Sequence, residues 1–250
     1  MFEQLNQLKN IMKNILICGI MILLLASCGK DRKPKIVHTK NTETEIPELK
    51  KDTTFIEISD LPIEIDSTDY LIHPIGDFRI EDKRGKIIYK SSGYGSNKSF
   101  SISSYGGYKI SGNLSNVKFQ HKDSEKLFAL TEKIIKINSI TFLRKLFDNT
   151  KKQVLVYEVI DKDTNQDGKI DFTDINTLYI SKINGNDFKK MTDTNRELID
   201  WKFIESKNRL YFRTIEDTNK DGEFDKNDIV HYKYVDLNSD NLKVTEYKPI

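Results

Sequence analysis

The sequence predicts an all-β domain built from repeated four-stranded antiparallel units. One reason is a duplication. Asp163 and Asp217, 54 residues apart, open two twelve-residue segments, DTNQDGKIDFTD and DTNKDGEFDKND. Similarity extends beyond them: VYEVIDK upstream of the first matches LYFRTIE upstream of the second, and NTLYISKINGNDFKKMT matches VHYKYVDLNSDNLKVTE downstream. A second reason is residue chemistry. QVLVYEVI, RLYFRTI, TLYISKI and IVHYKYVDL are runs rich in β-branched and aromatic residues, bounded by polar turn residues, which is the pattern of strands. The third is spacing. ITFLRKL and LIDWKFI precede the first strand of each pair, and FKKMT and LKVTEY follow the turns NGND and NSDN. Each unit therefore reads strand, turn, strand, acidic loop, strand, turn, strand.

Four antiparallel strands in about 50 residues is the size of a β-propeller blade. LYISKINGNDFKKMT and LIDWKFIESKNRLYF resemble blades of the TolB and WD40-like propellers of exported bacterial proteins, over residues 115–248. A degenerate third unit lies upstream, where NVKFQHKDSEKLFALT matches TLYISKINGNDFKKMT in character and DYLIHPIGDF and GKIIYKSS supply strands. A Gly/Ser/Tyr-rich stretch, GYGSNKSFSISSYGGYKISGNLS, stands where the other units carry acidic loops. Propellers have about 4–8 blades. Three units close only if TFIEIS and LPIEID build a small fourth blade; otherwise the sheet is open or differently closed. IPELKK and DSEKLFALTEKIIKI could hold helical turns.

The amino terminus is a targeting segment, to be set apart from the fold. A lysine-bearing stretch precedes ILICGIMILLLAS, an apolar run shorter than the ~20 residues of a spanning helix. The next residues, LASC from Leu25 to Cys28, resemble the lipobox of bacterial lipoproteins. That resemblance implies a signal peptide over 1–27, cleavage before Cys28 and acylation of Cys28, with the membrane as partner through the lipid. Gly29 is not the aspartate that retains lipoproteins in the inner membrane of some Gram-negative bacteria, so the outer membrane of the envelope is favoured. Residues 28–53 read as a lipidated terminus and polar tether, and 54–250 as the β-repeat domain. Both cysteines fall within the first 28 residues. The mature domain then has no disulfide, no thiolate metal site and no cysteine nucleophile.

The two acidic segments fit D-x-[DN]-x-[DN]-G with a carboxylate at position 12, the pattern of a calcium loop. The first offers Asp163, Asn165, Asp167, the backbone carbonyl of Lys169, Asp171 and Asp174. The second offers Asp217, Asn219, Asp221, the carbonyl of Glu223, Asp225 and Asp228. Gly168 and Gly222 at position 6 permit the sharp turn. Hard oxygen ligands in this number suit Ca²⁺ better than Mg²⁺, so two structural calcium ions are expected. An acidic solvated turn is the plainer alternative for one hexapeptide; two full matches at one repeat offset argue against it. DTNREL from Asp193 and DLNSDN from Asp236 fail the pattern and read as turns. The loops resemble those of EF-hands, and with Asp at position 12 resemble dockerins more, yet strands flank them instead of helices. No helix pair is available to open as a sensor's does.

Net charge is +2 with both signs mixed along the chain, so no nucleic-acid footprint is expected. No H-E-x-x-H, G-x-S-x-G or P-loop pattern occurs. His38, His73, His121 and His231 are scattered. Trp201 is expected to pack between sheets, with sugar stacking as the alternative. Tyr94, Tyr105 and Tyr108 have the composition of a binding loop, or of a plain extra hairpin. The expected function is a lipid-anchored, non-catalytic binding or scaffold domain with a protein or glycan partner. The alternative is an envelope hydrolase whose site forms only in the fold.

Overall fold

The computed structural model describes residues 34–38, 55–83, 86–91 and 101–250. The predicted signal segment, Cys28, most of the predicted tether and Tyr94 lie outside the described residues. The described residues form fifteen strands and one α-helix. The strands are β1 (Phe55–Ser59), β2 (Ile63–Glu64), β3 (Tyr70–Lys83), β4 (Lys86–Ser91), β5 (Ser103–Gly106), β6 (Lys109–His121), β7 (Leu127–Ala129) and β8 (Lys136–Phe142). Helix α1 (Arg144–Thr150) follows, then β9 (Val154–Ile160), β10 (Thr177–Lys182), β11 (Lys189–Lys190), β12 (Arg196–Ile204), β13 (Arg209–Glu216), β14 (Ile229–Asp236) and β15 (Val244–Glu246).

All pairings are antiparallel, and three four-stranded meanders emerge from them. The third is a separate sheet in the order β12-β13-β14-β15. The second runs β8-β9-β10-β11 and the first β1-β3-β6-β7, with β2 also on β3. The first two units are fused because β6 is long enough to serve both. Its carboxy-terminal half pairs with β3 from Leu114 to His121, while its amino-terminal part pairs with β8 from Lys109 to Leu114. The swing falls at register shifts between Ser111 and Leu114 and between Ile75 and Gly76, as bulges bend and re-aim strands. Gly112 sits at this crossing, where a Cβ would meet the carbonyl oxygen of Ile102 at 2.4 Å.

TFIEIS and LPIEID become β1 and β2, but both pair with β3. They belong to the first unit and are not a further blade. Among the described residues no fourth unit closes a ring. ITFLRKL is a strand only to Phe142. Leu143, Leu146 and Phe147 stand at helical spacing and begin a turn of helix instead, with Leu146 and Phe147 buried. DSEKLFALTEKIIKI holds β7 and the start of β8, with no helix. The Gly/Ser/Tyr-rich stretch ends in the β5–β6 hairpin.

Two cores result. One, within the fused sheet, gathers Ile72, Phe78, Phe119, Ile137, Leu155, Tyr157 and Val159. The other lies between the second and third units and gathers Leu146, Val156, Leu178, Ile180, Leu198, Leu210, Phe212 and Val235. Strand β9 feeds both: Leu155, Tyr157 and Val159 face the first, Val156 the second. Burial on both faces explains why VLVYEVI is a nearly unbroken apolar run. The units thus place two equivalent connections, β9–β10 and β13–β14, at one end of the domain. Helix α1, the 205–208 turn and residues 237–242 gather at the other, joined by Lys145–Glu205 at 2.9 Å and Lys152–Asp240 at 2.9 Å.

Candidate metal loops

The β9–β10 and β13–β14 connections are the two acidic segments, and they fold alike. Six hydrogen bonds recur at equivalent positions. The position-6 amide donates to the position-1 carboxylate, Gly168 to Asp163 and Gly222 to Asp217, both at 2.8 Å. The position-5 amide donates to the position-3 side-chain oxygen, Asp167 to Asn165 at 3.0 Å and Asp221 to Asn219 at 3.1 Å. Lys169 and Glu223 amides donate to Asp167 and Asp221. Thr173 and Asn227 amides donate to Asp171 and Asp225, both at 2.8 Å. The position-12 carboxylate closes each loop. Asp174 accepts from the amides of Asp171 and Thr164, and Asp228 from those of Asp225 and Thr218. Positions 4 and 6 are left-handed in both, with φ of 60° and 83° at Gln166 and Gly168 and 59° and 86° at Lys220 and Gly222. Glycine at position 6 meets that demand without the cost of a Cβ.

Burial of the candidate ligands is uneven. Asp174 and Asp217 are buried; Asp163, Asn165, Asp171, Glu223 and Asp228 are intermediate; Asp167, Lys169, Asn219, Asp221 and Asp225 are exposed. Burial pushes the Asp174 carboxyl up, against the amides that hydrogen-bond it. Burial acts the same way on Asp217, but hydrogen bonds from His38 and from the amides of Gly222 and Lys220 outweigh it and leave the carboxyl below its usual range. Oδ1 of Asp217 is buried and has no hydrogen-bond partner. A lone buried carboxylate oxygen is costly, and a water or a cation would satisfy it. Among the described residues, no three His, Cys, Asp or Glu side chains stand together as a ready cluster.

Residues 34–38, read from composition as tether, lie across both loops. The amides of Lys35 and Ile36 donate to the carbonyl of Gly222 at 2.8 and 3.4 Å, and the amide of Val37 donates to the carbonyl of Thr164 at 2.8 Å. Thr164 Oγ1 returns a bond to the carbonyl of Lys35 at 2.8 Å. Ile36 is 3% exposed. His38 Nε2 meets Asp217 Oδ2 at 2.8 Å, and Lys35 Nζ meets Glu197 at 2.5 Å. Gly222 makes room for this strap: a Cβ there would fall 2.5 Å from Cβ of Pro34 and 2.7 Å from the carbonyl oxygen of Ile36. Sequence reasoning missed the strap. The one available signal was the β-branched pair Ile36–Val37 after Pro34 in an otherwise polar stretch.

Apart from the loops, a cleft of about 420 Å³ is lined by Lys109, Thr141, Glu158, Asn176, Asp200 and Trp201 among others. Trp201, half-buried in β12, packs on the second core and donates its indole N–H to Glu158 at 2.9 Å. Asp200 is paired with Arg213, whose hydrogen bond holds its carboxyl low against the effect of burial. His73 bonds Gln120, and His231 lies between Glu216 and Glu246 at 3.0 Å from each. The four histidines therefore stay dispersed, with His38 alone at a loop.

No family model matches the chain, and no curated protein matches it. A solved structure described as "putative TolB from Agrobacterium tumefaciens" is similar at a TM-score of 0.23 and 10% identity, covering 76% of this chain and 80% of that one. A likeness at that level carries no argument about this fold's closure or its function.

Proposed function

We propose that this chain is a lipid-anchored protein of the bacterial envelope whose β-repeat domain is stapled by two calcium ions and acts as a non-catalytic binding or scaffold module. The observation that carries the metal reading is the unpartnered, buried Oδ1 of Asp217 within a loop framework that shares six hydrogen bonds with its twin. Asp163, Asn165, Asp167, the Lys169 carbonyl, Asp171 and Asp174 would hold one ion. Asp217, Asn219, Asp221, the Glu223 carbonyl, Asp225 and Asp228 would hold the other. Bound Ca²⁺ would draw the loop's carboxylates together, supply positive charge among them, and lock the loop in place of a disulfide.

The test is thermal unfolding of residues 29–250 in millimolar Ca²⁺ and in EGTA. Ions binding only the folded form at ~100 times Kd add ~2.7 kcal/mol per site. For a domain of about 200 residues, two sites then raise the midpoint by roughly 10–20 °C. Asp163→Ala combined with Asp217→Ala abolishes the rise. An unchanged midpoint across millimolar Ca²⁺ sinks the reading. Acylation is tested separately, since Cys28→Ser releases the protein from membranes.

The hydrolase alternative has one observation in its favour, the Trp201 cleft with its two acids. Its weakness is that Asp200 is neutralised by Arg213 and Glu158 is engaged by Trp201. Loss of a glycan- or peptide-cleaving activity in Glu158→Gln would support that alternative, and no such activity in the native protein would remove it.

A further inference from the structure

We infer that the end of the domain carrying the two acidic loops is the surface laid against the phospholipid bilayer. The inference rests on the proposed acylation of Cys28 and adds to it an orientation. The strap supplies the geometry. Its first described residue, Pro34, is seated on Gly222 of the second loop, and its backbone is hydrogen-bonded into both loops. Only six residue steps separate Cys28 from Pro34. A chain of that length spans at most about 20 Å, even fully extended.

The opposite end of the domain is farther away than that. Strands β9 and β13 hold 7 and 8 residues. At ~3.3 Å per residue they separate the two ends by about 25 Å before any loop is added. With the strap seated, an anchor at Cys28 cannot reach past the sheets to set α1 and the 237–242 turn on the membrane. It can reach only the loop end or the flanks beside it.

The exposed chemistry at the loop end suits an interface once the loops are loaded. Phe172, at position 10 of the first loop, is 59% exposed, and Ile229, just after the second loop, is 51% exposed. Lys162, Lys169, Lys220 and Lys226 are exposed around them. Aromatic, aliphatic and lysine side chains are the usual contents of a headgroup-level surface. The empty loops would oppose it: the first holds four Asp against one Lys, the second four Asp and one Glu against two Lys, a formal −3 each. A divalent ion in each would cut this to −1, so the close approach should depend on calcium when the lipid is anionic.

The experiment places the acylated full-length protein in vesicles of phosphatidylethanolamine and phosphatidylglycerol in 1 mM Ca²⁺. A fluorophore is attached at Lys226→Cys, in the second loop at a position that supplies no ligand, or at Ser239→Cys at the far end. A short-range quencher is carried on the lipid headgroups. Quenching several-fold stronger at position 226 than at 239 is expected, with the contrast shrinking in EGTA. Ile36→Asp, which expels the strap, should reduce the contrast by at least half in protein whose near-ultraviolet circular dichroism is retained. Equal quenching, or more at 239, in protein that floats with the vesicles overturns the orientation and leaves the anchor reading intact. Failure of the unlabelled protein to float overturns both.

Discussion

The two acidic loops have the same twelve positions and the same six hydrogen bonds, yet they bury opposite ends. In the first loop the closing carboxylate, Asp174, is 1% exposed; in the second the opening carboxylate, Asp217, is 5% exposed. Asp174 is satisfied by backbone amides and the hydroxyl of Thr164. Asp217 keeps one oxygen unpartnered and shares the other with His38. The strap accounts for the difference on the second loop. It crosses at Gly222 and folds His38 down onto position 1, while on the first loop it touches position 2, through Thr164. Sequence repetition therefore sets the loop's internal bonds, and a non-repeated segment decides which carboxylate is shielded from water.

With the loops empty, removing the strap should produce the largest effect. Full burial of an isoleucine is worth about 1.5–3 kcal/mol, and Ile36→Asp forfeits that while pressing a charge onto the loops. Urea unfolding should show a loss of at least about 2 kcal/mol. A loss under about 0.5 kcal/mol, the scale of ordinary surface changes, would mean the strap does not hold the loops. The next effect separates the twins. In EGTA, Asp217→Asn gives up hydrogen bonds to a charged acceptor, worth about 1.5–3 kcal/mol, whereas Asp163→Asn, half-exposed, should cost about 0.5 kcal/mol. Equal costs would erase the asymmetry argued above.

Much of this arrangement was legible in the sequence, for reasons that differ by region. The strands flanking each loop announced themselves because β-branched and aromatic runs are sorted by burial, and the 54-residue offset located equivalent connections. The loops were legible because position 6 must be left-handed and positions 1, 3, 5, 9 and 12 must carry oxygen. The helix was misjudged: Leu143, Leu146 and Phe147 have helical spacing, but ITF before them pulled the reading toward strand. The fusion of the first two units was hidden because it depends on β6 changing partners at Gly112, and a change of partner leaves no periodic mark. The strap was hidden because its placement across the loops uses main-chain bonds to Gly222 and Thr164, which any sequence can make. Five such residues inside a polar stretch do not alter its composition.

Glu197 offers the smallest and most discriminating test of how the strap is held. It lies beside both regions, accepting from Lys35 of the strap and from the amide of Asn176 just after the first loop. Burial raises its carboxyl above the usual glutamate value even though Lys35 and the Asn176 amide pull it down. A carboxyl raised in the folded state favours folding most at low pH, and that contribution is lost as pH rises from the unfolded value through the folded one. At pH 7 the ionised group is therefore a net burden, as buried ion pairs often are. Glu197→Gln keeps an acceptor for Asn176 and removes the buried charge, so it should be at least as stable as the native protein at pH 7. Its advantage should shrink as pH falls through the raised range in which the folded side chain takes up its proton, and be gone below the ordinary glutamate value of about 4.3. Chemical unfolding of both proteins at pH 7 and pH 4 measures this. A clear loss of stability in the variant at pH 7 would instead make the Lys35–Glu197 pair a net clamp on the strap, and would move the hold on the second loop from the backbone to that ion pair.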